Sequence, residues 1–154
     1  MKSKAVFQKN LDGFVIFEQK SRSEPVKIRG HIEKLKPPGK HGFHIHTFGD
    51  LESNDCMKCG GHWNPKNKNH GGRHDIESHA GDLGNITANV EGIANFRFET
   101  DKITLFGDVN ESIIGRSIVI HKDPDDNGKG CHDDSLITGH AGARLDCAVL
   151  GHCK

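Results

Sequence analysis

The fold of this chain is most constrained by the lack of any sustained helical period among its short apolar segments. No stretch of the 154 residues repeats its apolar positions at the 3.6-residue spacing of an amphipathic helix. Rough alternation of apolar and polar residues, bounded by turn-forming residues, occurs instead in a series of short segments. These segments are residues 3–8, 13–20, 26–34, 40–46, 83–89, 93–99, 103–108, 114–121 and 145–150. Short strands separated by turn signals predict an all-β sandwich or barrel.

Two long segments interrupt this pattern. Residues 47–82 and 122–143 are rich in Gly, His, Asn and Asp, and neither contains a clear strand. Loops of this length are uncommon in a compact domain unless they carry function. We therefore expect residues 1–154 to form a single domain with one β core and two long functional loops.

Charge and hydropathy argue against several classes of protein. The 21 basic and 21 acidic residues cancel to a formal net charge of zero, whereas a dedicated nucleic-acid binder normally carries a basic excess. No run approaches the roughly 18 apolar residues of a membrane span. The first 14 residues include several charges but lack the apolar centre of a secretory signal. We therefore expect a cytoplasmic protein that binds neither nucleic acid nor membrane.

The spacing of the 12 histidines indicates metal binding. His44 and His46 occupy alternate positions of an expected strand, so both imidazoles face the same side and can reach one ion. Further candidates share the first long segment: His62, His70, His79 and Asp82. Three imidazoles and a carboxylate suit a tetrahedral zinc site. The plainer alternative is a solvated polar loop, with His121 as a surface residue at the end of another strand.

Taken together and in order, the segments around these residues follow one pattern. They read KHGFHIHTFG at 40–49, GGHWNP at 60–65, HGG at 70–72, HAGDLGN at 79–85, IIGRSIVIH at 113–121, DDNGKG at 125–130 and GHAGARLDCAVLG at 139–151. The sequence resembles the copper/zinc superoxide dismutase family along nearly its whole length. This resemblance implies an eight-stranded antiparallel Greek-key β-barrel or sandwich, immunoglobulin-like, in which two long loops form the site.

The resemblance also assigns metal ligands, with one copper and one zinc ion per subunit. The implied copper ligands are His44, His46, His62 and His121. The implied zinc ligands are His62, His70, His79 and Asp82. His62 would therefore bridge the two ions and take part in catalysis, accepting a proton in one half of the cycle and returning it in the other. Imidazole suits both metals, so the chemistry of the residues agrees with this assignment.

Two further residues receive roles from the same resemblance. Asp125 matches the carboxylate that links His44 to His70, and metal-bound histidines generally need such an acceptor on their other nitrogen. Arg144 matches the arginine beside the copper that meets the anionic substrate. A guanidinium suits this role because it stays charged at any working pH.

The five cysteines allow more than one interpretation. An odd number in an intracellular chain usually means reduced thiols, and Cys56 with Cys59 forms a CxxC pair that could be a redox or metal motif. No second pair accompanies it. Cys56 and Cys147 match the intrasubunit disulfide of the family, and Cys56 is preferred over Cys59 because it lies six residues before His62, as in that family. Three thiols are then expected to be free: Cys59, Cys131 and Cys153.

The activity implied by the resemblance is the dismutation of superoxide. One superoxide reduces Cu(II) and leaves as O2, and a second reoxidises Cu(I) and leaves, with two protons, as hydrogen peroxide. The implied partners are superoxide, a second copy in a homodimer and a copper chaperone. The alternatives are a non-catalytic metal-binding dismutase-like protein and a copper-delivery protein. The first would be expected to lack a ligand or the arginine, and the second would need a separate thiol-rich domain.

The loop at 122–143 departs from the family at several positions. Ile137 stands where many members carry a lysine near the channel mouth. Cys131, His132 and His140 are additions to the same loop. We therefore expect weaker electrostatic steering than in a relative with lysine, with Arg144 supplying the close attraction and Lys129 helping at longer range.

Overall fold

The structure is a computed structural model that describes all 154 residues. Its strands are β1 (Lys2–Phe7), β2 (Asp12–Glu18), β3 (Val26–Glu33), β4 (Gly39–His46), β5 (Asp82–Ala88), β6 (Ala94–Thr100), β7 (Ser117–His121), β8 (Arg144–Val149) and β9 (Gly151–His152). A 3₁₀ turn covers Met57–Cys59, and a one-turn helix, α1, covers Ser135–Thr138. The prediction of an all-β fold is confirmed. Neither helical turn has the length or the apolar character that crossing a membrane requires.

The strands form two antiparallel sheets, with the orders β6-β3-β2-β1-β9 and β5-β4-β7-β8. The last expected strand of the barrel is divided at Leu150. Its first part, β8, pairs with β7, and its second part, β9, pairs with β1 in the other sheet. The ninth strand is therefore the continuation of the eighth, and it links the edges of the two sheets.

The core lies between the sheets and is built from alternate residues of each strand. In β4, Phe43 and Ile45 are fully buried and face this core. The ring of Phe43 meets Phe96 of the opposite sheet edge-on at 5.2 Å and Phe98 at 6.4 Å. Because side chains alternate along a strand, His44 and His46 must point away from the core, toward the loops.

The prediction of a strand at 103–108 was wrong. Only Thr104 pairs there, in an isolated bridge with Ser112. Ile103 and Leu105 are buried, so the apolar alternation is real. The amide of Leu105, however, donates at 2.8 Å to the side-chain oxygen of Gln19 rather than to a neighbouring strand. Alternation reports which side chains are buried, but it does not report what satisfies the backbone.

Both long segments leave the same four-stranded sheet, and both are loops. The β4–β5 loop (residues 47–81) follows the strand that carries His44 and His46, and the β7–β8 loop (residues 122–143) begins directly after His121. Since β4 and β7 are neighbours in this sheet, the two loops lie over the same face. Any site they form must therefore lie on the outer face of this sheet.

The role of Gln19 leads to a prediction about stability. Its oxygen also accepts a hydrogen bond from the Thr104 hydroxyl at 3.0 Å, and the residue is 3% exposed. Gln19→Ala should lower the free energy of unfolding by about 1–3 kcal/mol, because a buried amide loses its acceptor. Hydrogen exchange should also accelerate at the amide of Leu105. The exposed Gln8→Ala is the matched control, and equal losses in both variants would contradict this account.

Candidate metal centre

Six histidines and two aspartates gather in the buried space between the outer face of the four-stranded sheet and the two loops. They are His44, His46, His62, His70, His79, His121, Asp82 and Asp125. All are less than 10% exposed. Charged and polar groups are rarely buried in such numbers unless they are paired or bind a metal. Every ligand residue expected from the sequence therefore lies in one region.

One half of this region is a four-histidine cluster, composed of His44, His46, His62 and His121. One potential ligand atom from each ring lies within 4.8 Å of the others. The Nε2 atoms of His46 and His121 are 3.3 Å apart. The Nδ1 atoms of these two rings point outward to backbone carbonyls of the loops, at 2.8 and 3.1 Å. The loops therefore fix the rings so that Nε2 faces the middle of the cluster.

The other half surrounds a single carboxylate oxygen and is here called the Asp82 cluster. It comprises His62, His70, His79 and Asp82. The Nδ1 atoms of the three histidines lie 2.9, 3.0 and 3.2 Å from Asp82 Oδ1. The two clusters meet at His62, whose Nδ1 faces Asp82. His62 is thus positioned between both groups.

Some buried nitrogens in these clusters have no hydrogen-bond partner. They are His44 Nδ1 and His62 Nε2, while His70 Nδ1 lies 3.0 Å from Asp82 Oδ1 without good hydrogen-bond geometry. Burying a polar atom without a partner costs free energy, and native proteins rarely leave such atoms unexplained. A metal cation bound by these lone pairs satisfies them. The donor set therefore fits two cations, one on each side of His62.

Asp125 ties the two halves together from behind. Its Oδ2 accepts from His44 Nε2 at 2.7 Å, and its Oδ1 accepts from His70 Nε2 at 2.8 Å. Asn85 of β5 exchanges two side-chain to backbone hydrogen bonds with Asp125, at 2.7 and 2.9 Å. Gly139 has φ +70, and a Cβ there would collide with the Asp125 carboxylate. The role of Asn85 was not predicted, although it lies in the HAGDLGN segment.

Burial sets the charge state of the four-histidine cluster. It lowers the pKa of His44 and His46 well below the usual range, and it lowers that of His121 to about 4. Burial also lowers the pKa of His62, although the hydrogen bond and charge of Asp82 act against this. Neutral imidazole is the form that binds a metal, so these rings are ready as ligands at neutral pH.

The Asp82 cluster has the opposite electrostatics. Burial alone would raise the pKa of Asp82, but the three histidines whose Nδ1 atoms contact its carboxylate hold this pKa well below its usual range. Burial would lower the pKa of His70, but Asp125 and Asp82 outweigh it and raise this pKa to about 9. The carboxylate is therefore ionised and attracts a positive charge, which a proton on His70 or a bound cation can supply.

A cleft with a volume of about 640 Å³ opens over the four-histidine cluster. Arg144 lines it, and its Nη1 donates to the Cys56 carbonyl at 2.8 Å. Ile137 also lines the cleft, together with Lys68, which the sequence analysis did not identify. Lys129 does not line it, and its Nζ lies 3.9 Å from the Asp75 carboxylate.

A disulfide joins Cys56 of the β4–β5 loop to Cys147 of β8. Three cysteines are free: buried Cys59, half-buried Cys153 and exposed Cys131. Because Cys56 also holds Arg144 through its carbonyl, the same bond fixes the loop and the wall of the cleft. Closing a loop with a sequence separation of 91 residues contributes about 4.6 kcal/mol in the chain-entropy model.

Fold and site together define a class of protein: a β-barrel with two adjoining buried clusters of metal-binding side chains beneath a cationic cleft. Comparison with known proteins agrees. The family model for copper/zinc superoxide dismutase matches residues 11–150. The Cu-Zn superoxide dismutase A of Xenopus laevis is 50% identical over 144 residues, which cover 94% of this chain and 91% of that protein. The chain belongs to the copper/zinc superoxide dismutase family, an oxidoreductase family that acts on superoxide with copper and zinc.

The bridge made by Asp125 leads to a prediction about metal affinity. Asp125→Asn retains the size of the side chain, but the amide nitrogen cannot accept a hydrogen bond from a histidine. Metal affinity should fall by about 10–100-fold, as is usual when a carboxylate behind a ligating histidine is removed. Metal analysis after dialysis against graded chelator concentrations measures this. Asp133→Asn, an exposed change, is the control, and unchanged retention in Asp125→Asn would refute the bridging role.

Proposed function

We propose that His44, His46, His62 and His121 hold copper, and that His62, His70, His79 and Asp82 hold zinc. The observation that carries this proposal is that two buried donor sets meet at His62: the four-histidine cluster, with His44 Nδ1 and His62 Nε2 unpartnered, and the three Nδ1 atoms around Asp82 Oδ1. An all-imidazole site that opens onto the cleft suits a redox ion that must meet substrate. Three imidazoles and a carboxylate suit a structural zinc site.

The fourth zinc ligand could also be sought in His44, whose ligand atom lies within 4.8 Å of those of His62, His70 and Asp82. His79 is the better choice, because its Nδ1 is 3.2 Å from Asp82 Oδ1 and 3.3 Å from His62 Nδ1. His44 directs Nε2 to Asp125, which leaves Nδ1 for the four-histidine cluster. We therefore assign His44 to copper alone.

The residues around the ions have separate roles in the reaction. Copper supplies one-electron exchange when bound, and zinc supplies charge and order without redox chemistry. The half-buried Arg144 attracts superoxide into the cleft and orients it with a planar pair of donors. In one half of the cycle His62 would take a proton at Nε2 from solvent in the cleft while that nitrogen is not a ligand, and in the other half it would give this proton to the departing peroxide. The second proton comes from water in the open cleft, so two superoxide ions and two protons yield O2 and hydrogen peroxide.

Substitution of single ligands tests the assignment of each metal. His46→Ala should lose copper and dismutation while keeping zinc, because its ring belongs only to the four-histidine cluster. His79→Ala should lose zinc more than copper and should lower the melting temperature, because zinc binding is partly folding free energy. Metal content by mass spectrometry, measured beside superoxide consumption, reads out both changes.

The exposed His74→Ala is the control for these variants, and it should keep both metals and full activity. Normal copper and activity in His46→Ala would contradict the copper assignment. A wild-type protein that binds both metals but does not consume superoxide would instead be the non-catalytic metal-binding homologue considered above.

Steering of superoxide rests on few cations in this protein. Ile137 presents an apolar side chain to the cleft, 63% exposed, and the Lys and Arg residues that line the cleft are Lys68 and Arg144. Positive charge near a channel mouth raises the encounter rate with an anion, and superoxide dismutase is itself the reference example of this principle. A lysine at position 137 should therefore add attraction.

The corresponding prediction concerns rates at different ionic strengths. Ile137→Lys should raise the second-order rate at low salt, and the gain should shrink near 0.1 M, where the Debye length is about 10 Å. Ile76→Lys adds the same charge to a residue outside the cleft and should gain less. Arg144→Ala should lower the rate at every salt concentration. Pulse radiolysis measures these rates, and equal gains at positions 76 and 137 would disprove local steering.

We also propose that the protein forms a homodimer, as members of this family usually do. Phe48 and Val109 are 58% and 77% exposed. Arg116 brings them together, because its guanidinium donates to the carbonyls of Thr47 and Val109. Exposed apolar side chains in one patch are typical of protein interfaces. A second copy with the same patch would bury them by two-fold symmetry.

Oligomeric state in solution tests this interface. The wild-type chain should sediment as a dimer at micromolar concentration, and Phe48→Glu should shift it toward monomer because a charge would enter the apolar contact. Val90→Glu, at another exposed apolar site, should leave the dimer unchanged. A monomeric wild-type protein, or a dimer that resists Phe48→Glu, would rule out this surface.

A cytoplasmic location and delivery of copper by a chaperone complete the proposal. The chain has one disulfide, but the exposed Cys131 is a free thiol. Free thiols persist in reducing compartments. The four-histidine cluster is buried, so copper has to enter through the cleft or before the loops close. Fractionation of cells that express the chain, with copper content measured with and without the host's chaperone, tests both statements.

A further inference from the structure

Two exposed histidines of the β7–β8 loop have no role in the sites described above. The rings of His132 and His140 are stacked, with centroids 3.7 Å apart and planes 12° apart. Both residues are exposed, so no hydrophobic core forces the rings together. They are eight residues apart in sequence, and both lie among the additions that distinguish this loop. The fold between them must therefore bring them side by side.

The backbone around α1 produces this juxtaposition. The amide of His132 donates at 2.9 Å to Ser135 Oγ, which in turn donates to Asp126. Gly139 ends α1 in the left-handed conformation, and His140 follows with φ 52. The chain consequently turns back on itself after one helical turn. The backbone therefore places the two residues side by side, whereas the ring of His132 has no hydrogen bond that fixes it.

A carboxylate orients one of the two rings. Asp134 Oδ1 accepts a hydrogen bond from His140 Nδ1 at 2.6 Å, and the Thr138 hydroxyl donates to the other oxygen of Asp134 at 3.2 Å. A ring that donates from Nδ1 keeps its lone pair on Nε2. Metal-ligating histidines commonly have such a carboxylate partner, which fixes the tautomer and raises the basicity of the ligand.

We propose that His132 and His140 bind a third metal ion, a borderline divalent cation such as Zn²⁺ or Cu²⁺. Imidazole pairs suit these ions, whereas Mg²⁺ and Ca²⁺ require oxygen ligands. Binding requires the His132 side chain to rotate out of the stack, so that one of its nitrogens faces an ion on His140 Nε2. Water completes the coordination, because both residues are exposed. Asp134 is the positioning residue, and the inference does not depend on the roles proposed for the buried residues.

The test begins with protein that already holds one copper and one zinc ion per subunit. A Cys131→Ser background removes the adjacent exposed thiol as a source of zinc adducts. Zn²⁺ alone is then titrated in, with calorimetry and native mass spectrometry as readouts. A third ion per subunit is expected. Asp134→Asn should weaken its binding by about 10–100-fold, because His140 loses its carboxylate partner.

Substitution of the two histidines decides whether they are the ligands. His132→Asn and His140→Asn should each abolish binding of the third ion, and asparagine tolerates the positive φ at position 140, so the loop should keep its fold. His74→Asn, another exposed histidine, is the matched control and should bind as the parent does. Thermal melting of the loaded proteins verifies folding. The proposal would be overturned if the parent bound no third ion, or if a variant with both His132→Asn and His140→Asn still bound one.

Discussion

Burial of histidine nitrogens without hydrogen-bond partners is the constraint on which this structure depends. His44 and His62 each bury one ring nitrogen that has no hydrogen-bond partner in the protein. Each such atom costs about 1–3 kcal/mol when it is left unsatisfied. A cation that takes these lone pairs returns this free energy. Metal binding and folding of the surrounding loops are therefore coupled.

The loops need that coupling because they have little core of their own. Four attachments hold them to the barrel: the Asp125 bridge, the Cys56–Cys147 disulfide, the Arg144 to Cys56 hydrogen bond and the backbone acceptors of His46 and His121. The same attachments aim the ligand nitrogens and build the wall of the cleft. The same residues consequently determine the stability of the loops and the geometry of the site, so a substitution that alters one also alters the other.

Much of this could be predicted from the sequence, for identifiable physical reasons. Alternation in strands placed His44 and His46 on one side, and the order of the histidine segments carried the family resemblance. Segment 103–108 was wrongly predicted to be a strand, because the Gln19 side chain accepts the backbone hydrogen bond that a neighbouring strand would have accepted. Asn85, Lys68 and the loop carbonyls of Gly60 and Gly142 gave no usable signal, because their roles arise from the three-dimensional course of the loops. The stacking of His132 on His140 likewise depends on a turn that spacing alone does not reveal.

The central claim is that His62 is shared between two different metal ions. Anomalous X-ray diffraction from crystals of the loaded protein, at the copper and zinc absorption edges, tests it most directly. The account predicts a copper peak among His44, His46, His62 and His121, and a zinc peak beside Asp82, on opposite sides of the His62 ring. A single peak, or two peaks of which only one contacts His62, would contradict it.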